Sequence, residues 1–149
     1  MFRGISQLAL DAKGRLAIPS RYRETIAVQA EGRMVATIDR DGCLLLYPAP
    51  EWERIEQELT RLPNLNPQVR LLLRILVGHA TECEMDAQGR VLLPATLREF
   101  AGLEKKVVLI GQGHKFELWN ESSWMEQRVL WMRDEDSPEL NSVLEKVSI

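Results

Sequence analysis

The chain has 149 residues, 45% hydrophobic and 28% charged, with a net charge of −3. That make-up belongs to one ordinary soluble domain or two very small ones, and excludes collagen-like, disordered and disulfide-scaffold classes. Cys43 and Cys83 are too few for a disulfide framework, and apolar runs such as 71–73, 75–77 and 107–110 fall far short of the ~20 residues of a membrane helix. No apolar signal core follows Met1, so a cytoplasmic chain without a membrane partner is expected.

A negative net charge argues against a nucleic-acid partner, because phosphate contacts dominate such affinities. Its distribution argues the other way. Residues 1–24 carry Arg3, Lys13, Arg15, Arg21 and Arg23 against Asp11 and Glu24, a sum of +3, whereas residues 117–149 sum to −5. A basic head and an acidic tail suit an anionic partner at one end. A chance cluster beside a solvated tail is the plainer reading of the same charges.

In chain order, a first strand is read over 5–10. An Asp-Ala-Lys-Gly-Arg turn follows, in which Gly14 supplies a positive φ and the Asp11 carboxylate caps the reversal. A strand over 16–18 is closed by Pro19, which opens a short helical turn bearing Arg23. Strands over 34–38 and 43–47 are joined at 40–42. Residues 51–62 read as a helix with Trp52, Ile55, Leu59 and Leu62 on one face, stopped by Pro63. Asn66 as cap and Pro67 as first-turn residue start a second helix that ends near Gly78. Its Val69, Leu72, Leu73 and Leu76 face one way and Leu71 and Ile75 the other, the pattern of a helix covered on both sides, by a neighbouring subunit or by its own chain.

The same grammar then recurs. A strand over 80–85 leads into a turn with Asp86, Gly89 and Arg90, a strand over 91–93, a helical turn after Pro94 bearing Arg98, and strands over 107–111 and 115–119 joined at 112–114. A third helix starts at Ser123, with Glu126 completing a capping box, and carries Trp124, Met125, Val129, Leu130, Trp131 and Met132. After Asp134 the pattern weakens into an acidic tail that is expected to be mobile.

The recurrence is an internal repeat. Residues 11–24 (DAKGRLAIPSRYRE) and 86–99 (DAQGRVLLPATLRE) agree at seven of fourteen positions at an offset of 75. Leu44 to Tyr47 then parallels Phe116 to Trp119, and Trp52 parallels Trp124, at an offset of 72. The three-residue deletion is assigned to the loop around 29–32. Four short strands alone bury too little surface to be stable. An α+β fold is therefore expected, in which two pseudo-symmetric β units interlock around one shared core with about three flanking helices.

Catalysis has little to work with. His79 and His114 lack metal-ligand spacing and suit surface or capping roles; Cys43 and Cys83 lack a flanking His or CxxC partner and read as buried, inert thiols. GxSxG, HExxH, P-loop and GxGxxG motifs are absent. A carboxylate dyad of Asp11 and Asp86 is disfavoured because each has an arginine four residues on. An enzyme is not expected, nor a catalytic residue, a metal, a cofactor or a small-molecule substrate. The Asp-x-x-Gly-Arg turns have two readings. One is a tight turn locked by an ion pair and repeated because the fold is repeated. The other is a turn that aims a guanidinium at a duplex, since arginine grips phosphate bidentately and reads guanine N7 and O6. The first copy is the richer in charge: Lys13 is replaced by Gln88 in the second, where Arg98 is the other nearby cation.

MFRG at the start, LDAKGRLAIPSRYR, PEWE, LVGHA, MDAQGRVLLP and KFELW together resemble the MraZ family of bacterial transcriptional regulators, in one register from Met1 to Trp131. The resemblance implies two AbrB-type swapped-hairpin DNA-binding halves, over 5–52 and 81–124, with connecting helices over 53–80 and a C-terminal helix and acidic tail over 125–149. It implies a ring-shaped homo-oligomer, associated with the nucleoid, that binds short G-rich direct repeats in double-stranded promoter DNA. It further implies regulation, commonly repression, of the chain's own promoter and the adjacent cell-division and cell-wall gene cluster. The family's DxxxR motif maps onto Asp11 with Arg15 and Asp86 with Arg90. Candidate DNA contacts are Arg3, Lys13, Arg15 and Arg90, and Asp11, Gly14, Asp86 and Gly89 are the candidate turn residues. The helix over 69–77 and the third helix with Trp124 and Trp131 are candidate subunit contacts. The alternative is a protein-interaction module resembling the antitoxins that share AbrB-type folds.

Overall fold

Strands that are apolar at consecutive positions need cover on both faces. Residues 34–36 and 44–47 are of this kind, and the computed structural model, which describes residues 1–133 and 137–147, covers them on both sides. Residues 134–136, where the expected mobile tail begins, and 148–149 lie outside the described part.

The strands are β1 (Phe2–Ala9), β2 (Arg15–Ala17), β3 (Arg33–Ile38), β4 (Leu44–Pro48), β5 (Thr81–Glu84), β6 (Arg90–Leu92), β7 (Lys106–Gly113) and β8 (Phe116–Asn120). The helices are α1 (Ser20–Ala30), α2 (Ala49–Thr60), α3 (Pro67–Leu72), α4 (Ala95–Phe100), α5 (Glu121–Arg133) and α6 (Pro138–Leu144). Six strands form one sheet in the order β1-β7-β8-β4-β3-β5, and β2 pairs with β6 in a separate ribbon. Exchanging the repeats reverses this order into itself, so a pseudo-two-fold axis passes between β4 and β8. Each repeat lends its first strand to the other: β1 lies antiparallel on β7, from Phe2↔Gly113 to Ala9↔Lys106, and β5 lies on β3. The two units interlock, as the repeat predicts.

The shared core occupies both faces of the sheet. On one face Leu16, Ile18, Val91 and Leu93 of the ribbon strands and their ends pack with Tyr22 and Ile26 of α1 and Leu97 of α4. On the other, Trp52 of α2 and Trp124 of α5 occupy equivalent places over Val35, Leu45, Val108 and Trp119. The ribbon on one side and α2 and α5 on the other therefore lie on opposite layers.

The helices need several corrections. Three are expected, and six are present among the described residues. The turns after Pro19 and Pro94 grow into α1 and α4, and the tail carries α6 behind Ser137, whose Oγ accepts from the Leu140 amide at 3.0 Å. The loop around 29–32 is partly helical: Gln29 and Ala30 belong to the last turn of α1, which has eleven residues against six in α4. The third helix starts at Glu121, two residues early, and Asn120 caps it by accepting from the Ser123 amide at 3.1 Å. Asn66 caps α3 as expected, accepting from the Gln68 amide at 2.8 Å.

After α3 the chain widens into a π-turn over Leu73–Val77. Thr37 Oγ1 donates to the Leu76 carbonyl at 2.5 Å, so this turn covers β3 beyond Ala36, the last residue that β5 pairs. Ile75 packs on the first core, and Leu76 and Val77 on the second. The segment is apolar nearly all round because it wraps the sheet edge of its own chain. Among the described residues no helix is long and apolar enough to cross a membrane.

Candidate nucleic-acid interface

An Asp-x-x-Gly-Arg segment closes on itself when one carboxylate satisfies the amides of the reversal. Asp11 Oδ1 accepts from the backbone amides of Lys13 at 3.0 Å and Arg15 at 2.8 Å, and Oδ2 accepts from Arg15 Nε at 2.6 Å. Gly14, at φ 85°, turns the chain back so that its amide reaches the Asp11 carbonyl at 3.0 Å. The second turn repeats this: Asp86 accepts from the amides of Gln88 at 2.9 Å and Arg90 at 2.8 Å and from Arg90 Nε at 2.9 Å, with Gly89 at φ 76°. The copies differ where the sequence differs. Gln88 Oε1 accepts from Arg90 Nη2 at 2.8 Å, so the Arg90 guanidinium is held on two sides. Arg15 is held through Nε by the Asp11 carboxylate.

These bonds favour the charged carboxylates. The Arg15 amide above all, then the Arg15 side chain and the Lys13 amide, hold the Asp11 carboxyl down at about 2 against partial desolvation, and the Arg90 amide lowers Asp86 in the same way. A lowered folded value stabilises the turn above the carboxyl's ordinary value of 3.8, and that support is lost as the pH falls through about 2. The amide resonances of Lys13 and Arg15 are therefore expected to stay constant from pH 7 to about 4 and to move between about 4 and 2. An NMR titration with its midpoint at or above 4 would contradict this. Asp11 and Asp86 each serve their own turn, so they do not form a proton-sharing dyad.

The ribbon brings the turns together. Its register is Arg15↔Leu92, Leu16↔Val91 and Ala17↔Arg90. Alternation buries Leu16 and Val91 completely and leaves Arg15, Ala17, Arg90 and Leu92 on the opposite, outward face, where Leu92 is 55% exposed. Two arginines from positions 75 residues apart thus share one face, their backbone positions about 7 Å apart along the strand direction.

Lys13 lies at the exposed apex of the first turn. Arg3 does not join it. It sits near the start of β1, six residues before Ala9 and about 20 Å away along an extended strand. There Tyr22 Oη donates to the Arg3 carbonyl, the Arg21 guanidinium lies 4.5 Å from the Tyr22 ring centre, and Arg21 Nη2 donates to Ser6 Oγ at 2.6 Å. Arg21 thus lies over β1 on the α1 side, whereas Arg3 alternates with Phe2 and pairs with Gln112, which sets it on the other face, away from the ribbon. Arg23 and Arg98, which sequence reasoning treats only as nearby cations, lie beneath the turns, donating through Nε to the carbonyls of Ile18 at 2.6 Å and Leu93 at 3.1 Å.

The remaining reactive groups are quiet. Burial pushes both thiols up, Cys83 to about 11, and Glu117, Asp39 and Asp41 raise Cys43 further, so both are neutral. Potential ligand atoms of Asp39, Cys43 and Glu117 lie within 4.8 Å of one another, but a neutral thiol is a poor metal ligand, and Glu117 already accepts from Trp119 Nε1 at 2.9 Å. His79 Nδ1 lies 3.0 and 2.9 Å from the carbonyls of Arg74 and Ile75, the capping role expected of it.

A family model described as "MraZ protein, putative antitoxin-like" matches the chain twice, over residues 1–75 and 76–130. The chain belongs to the MraZ family. It is 60% identical to the transcriptional regulator MraZ of Thioalkalivibrio sulfidiphilus (strain HL-EbGR7) over 150 aligned residues that cover the whole of both chains. It is 58% identical to the protein of the same name from Halorhodospira halophila, over 90% of this chain and 89% of that one. For Hydrogenovibrio crunogenus the identity is 55%, over 99% and 95%. MraZ is thus a family of transcriptional regulators and not of enzymes. The two MraZ matches meet inside the π-turn, where the chain passes from one repeat to the next.

Proposed function

We propose that this MraZ protein is a sequence-specific DNA-binding repressor that reads double-stranded DNA with the β2–β6 ribbon and its two turns. The observation that carries this reading is the register that sets Arg15 and Arg90 on one outward face beside Ala17 and Leu92. A two-stranded ribbon fits the major groove, paired guanidiniums suit guanine N7 and O6, and a small apolar surface suits a thymine methyl. Lys13 adds a phosphate contact at the first turn, and Arg21, on the same side of the sheet as the ribbon, adds one to a flanking phosphate. Asp11, Gly14, Asp86 and Gly89 aim the guanidiniums. The segments 5–52 and 81–124 act as two halves of one reader, with 53–80 as connector and 125–149 outside it.

One ribbon offers few contacts, so strong binding needs several. Trp124 is taken up by the core, but Met125, Val129 and Met132 on the other side of α5 are at least half exposed. This apolar strip supports assembly into a ring, on which successive ribbons meet successive direct repeats at a raised effective concentration. The family resemblance supplies the targets: G-rich repeats upstream of the chain's own gene, with control of the adjacent cell-division and cell-wall cluster by a cytoplasmic, nucleoid-associated protein. A footprint on that upstream DNA at two salt concentrations tests the reading. Protection is expected to recur near whole helical turns, about every 10 base pairs, with log affinity falling by about 0.9 per log unit of salt for each phosphate held. Absent protection together with recovery of one stoichiometric protein partner would support the interaction-module alternative.

A further inference from the structure

Gly14 and Gly89 have no room for a side chain, and in each case the obstacle comes from the other repeat. A methyl group on Gly14 would lie 2.5 Å from Cζ and 2.6 Å from Nε of Arg98, which stands on α4 of the second repeat. A methyl group on Gly89 would collide with the guanidinium and Cδ of Arg23, on α1 of the first. Both contacts are tied into the ribbon. Leu93 accepts Arg98 Nε through its carbonyl and donates its amide to the Gly14 carbonyl at 3.1 Å. Ile18 accepts Arg23 Nε and donates to the Gly89 carbonyl at 2.9 Å. Beneath each turn, then, glycine carbonyl, strand-end residue and arginine form a closed circuit built from both repeats. The first turn otherwise borders an open pocket of about 580 Å³, so Arg98 is its support on that side.

We propose that Arg23 and Arg98 are positioning residues that act across the pseudo-two-fold axis: Arg98 holds the turn that carries Arg15, and Arg23 holds the turn that carries Arg90. The planar guanidinium is needed because it lies flat under a glycine at positive φ while its Nε bonds the strand end. Each turn is a joint product of the two repeats, and neither half presents its arginine correctly alone. The role in DNA binding rests on the function proposed above, whereas the role in holding the turns does not.

The test uses the full-length protein with Arg98→Ala or Arg23→Ala, each alone and combined with Arg15→Ala or Arg90→Ala. Amide hydrogen exchange reads the turns without DNA. Arg98→Ala is expected to speed exchange about three- to tenfold at Lys13, Gly14 and Arg15 and to leave Gln88, Gly89 and Arg90 unchanged; Arg23→Ala should do the reverse. Operator affinity reads the consequence. Arg98→Ala should weaken binding by about three- to tenfold, add little when Arg15 is already alanine, and be additive with Arg90→Ala, with an unchanged salt slope. Arg98→Lys, which keeps the charge and most of the stem, should show the same crossed pattern. Faster exchange at the turn of the same repeat, or full activity in Arg98→Lys, would overturn the proposal. So would a smaller salt slope with unchanged exchange, since Arg98 would then hold phosphate itself. If the parent protein binds no operator, the functional reading fails and the exchange pattern alone decides the positioning role.

Discussion

Operator binding is expected to disappear in Arg15→Ala while the size of the assembly, by light scattering, stays that of the parent. Arg15 lies on the outward face of the ribbon, and among the described residues its one side-chain partner is the Asp11 carboxylate of its own turn. Removing it leaves Leu16 and the core beneath untouched. A bidentate arginine contact with a base contributes about 1–3 kcal/mol, or roughly five- to 150-fold in affinity at each engaged ribbon. A ring that binds several repeats multiplies that loss. Arg90→Ala should cost less, because Gln88 and Asp86 already hold the Arg90 guanidinium on two sides. Normal binding by Arg15→Ala in an anisotropy titration would remove Arg15 from the interface.

Phe116→Ala should be the most damaging single change to the fold, at about 3–5 kcal/mol of unfolding free energy. Phe116 is fully buried on β8 of the second repeat, with its ring centre 4.3 Å from Phe2 on β1 and 5.0 Å from Tyr22 on α1, both of the first. The cavity would open where the repeats interlock. Such a loss is a large part of the roughly 5–15 kcal/mol that holds a domain of this size. Because each repeat lends its first strand to the other, urea should unfold both in one transition, at a lower midpoint and unchanged slope. Two separate transitions would contradict the exchange of strands.

Much of this architecture was legible in the sequence. The strands are short and punctuated by Gly14, Pro19, Gly89 and Pro94, and each is read twice, so an ambiguous segment in one copy is settled by the other. The helices were harder. The buried residues of α1 are only Tyr22, Ile26 and Ala30, a stripe too thin to stand out among charged neighbours. The π-turn depends on Thr37, distant in sequence, satisfying a carbonyl of the helix. Asp11 with Arg15 was readable as an ion pair because the partners are four residues apart. The meeting of Arg15 with Arg90 was not, since it is a matter of strand register between distant segments. A signal for Arg23 and Arg98 did exist. Both copies keep arginine there, while Lys13 gives way to Gln88 at a turn apex. Identity between repeats marks what the turn needs beneath it, and divergence marks what the two faces do differently.

The net charge of −3 conceals this arrangement. Arg15, Arg90, Arg23 and Arg98 lie on the ribbon layer, while α2 and the apolar strip of α5 lie on the opposite side of the sheet. That separation can be tested directly by photocrosslinking to operator DNA from single reactive residues. Leu92 faces outward on β6, and Leu65, 88% exposed, lies on the loop between α2 and α3. Crosslinks to operator bases are predicted from position 92 and not from position 65. Crosslinks from position 65 without any from position 92 would place the DNA on the other layer and contradict the ribbon as the reading surface.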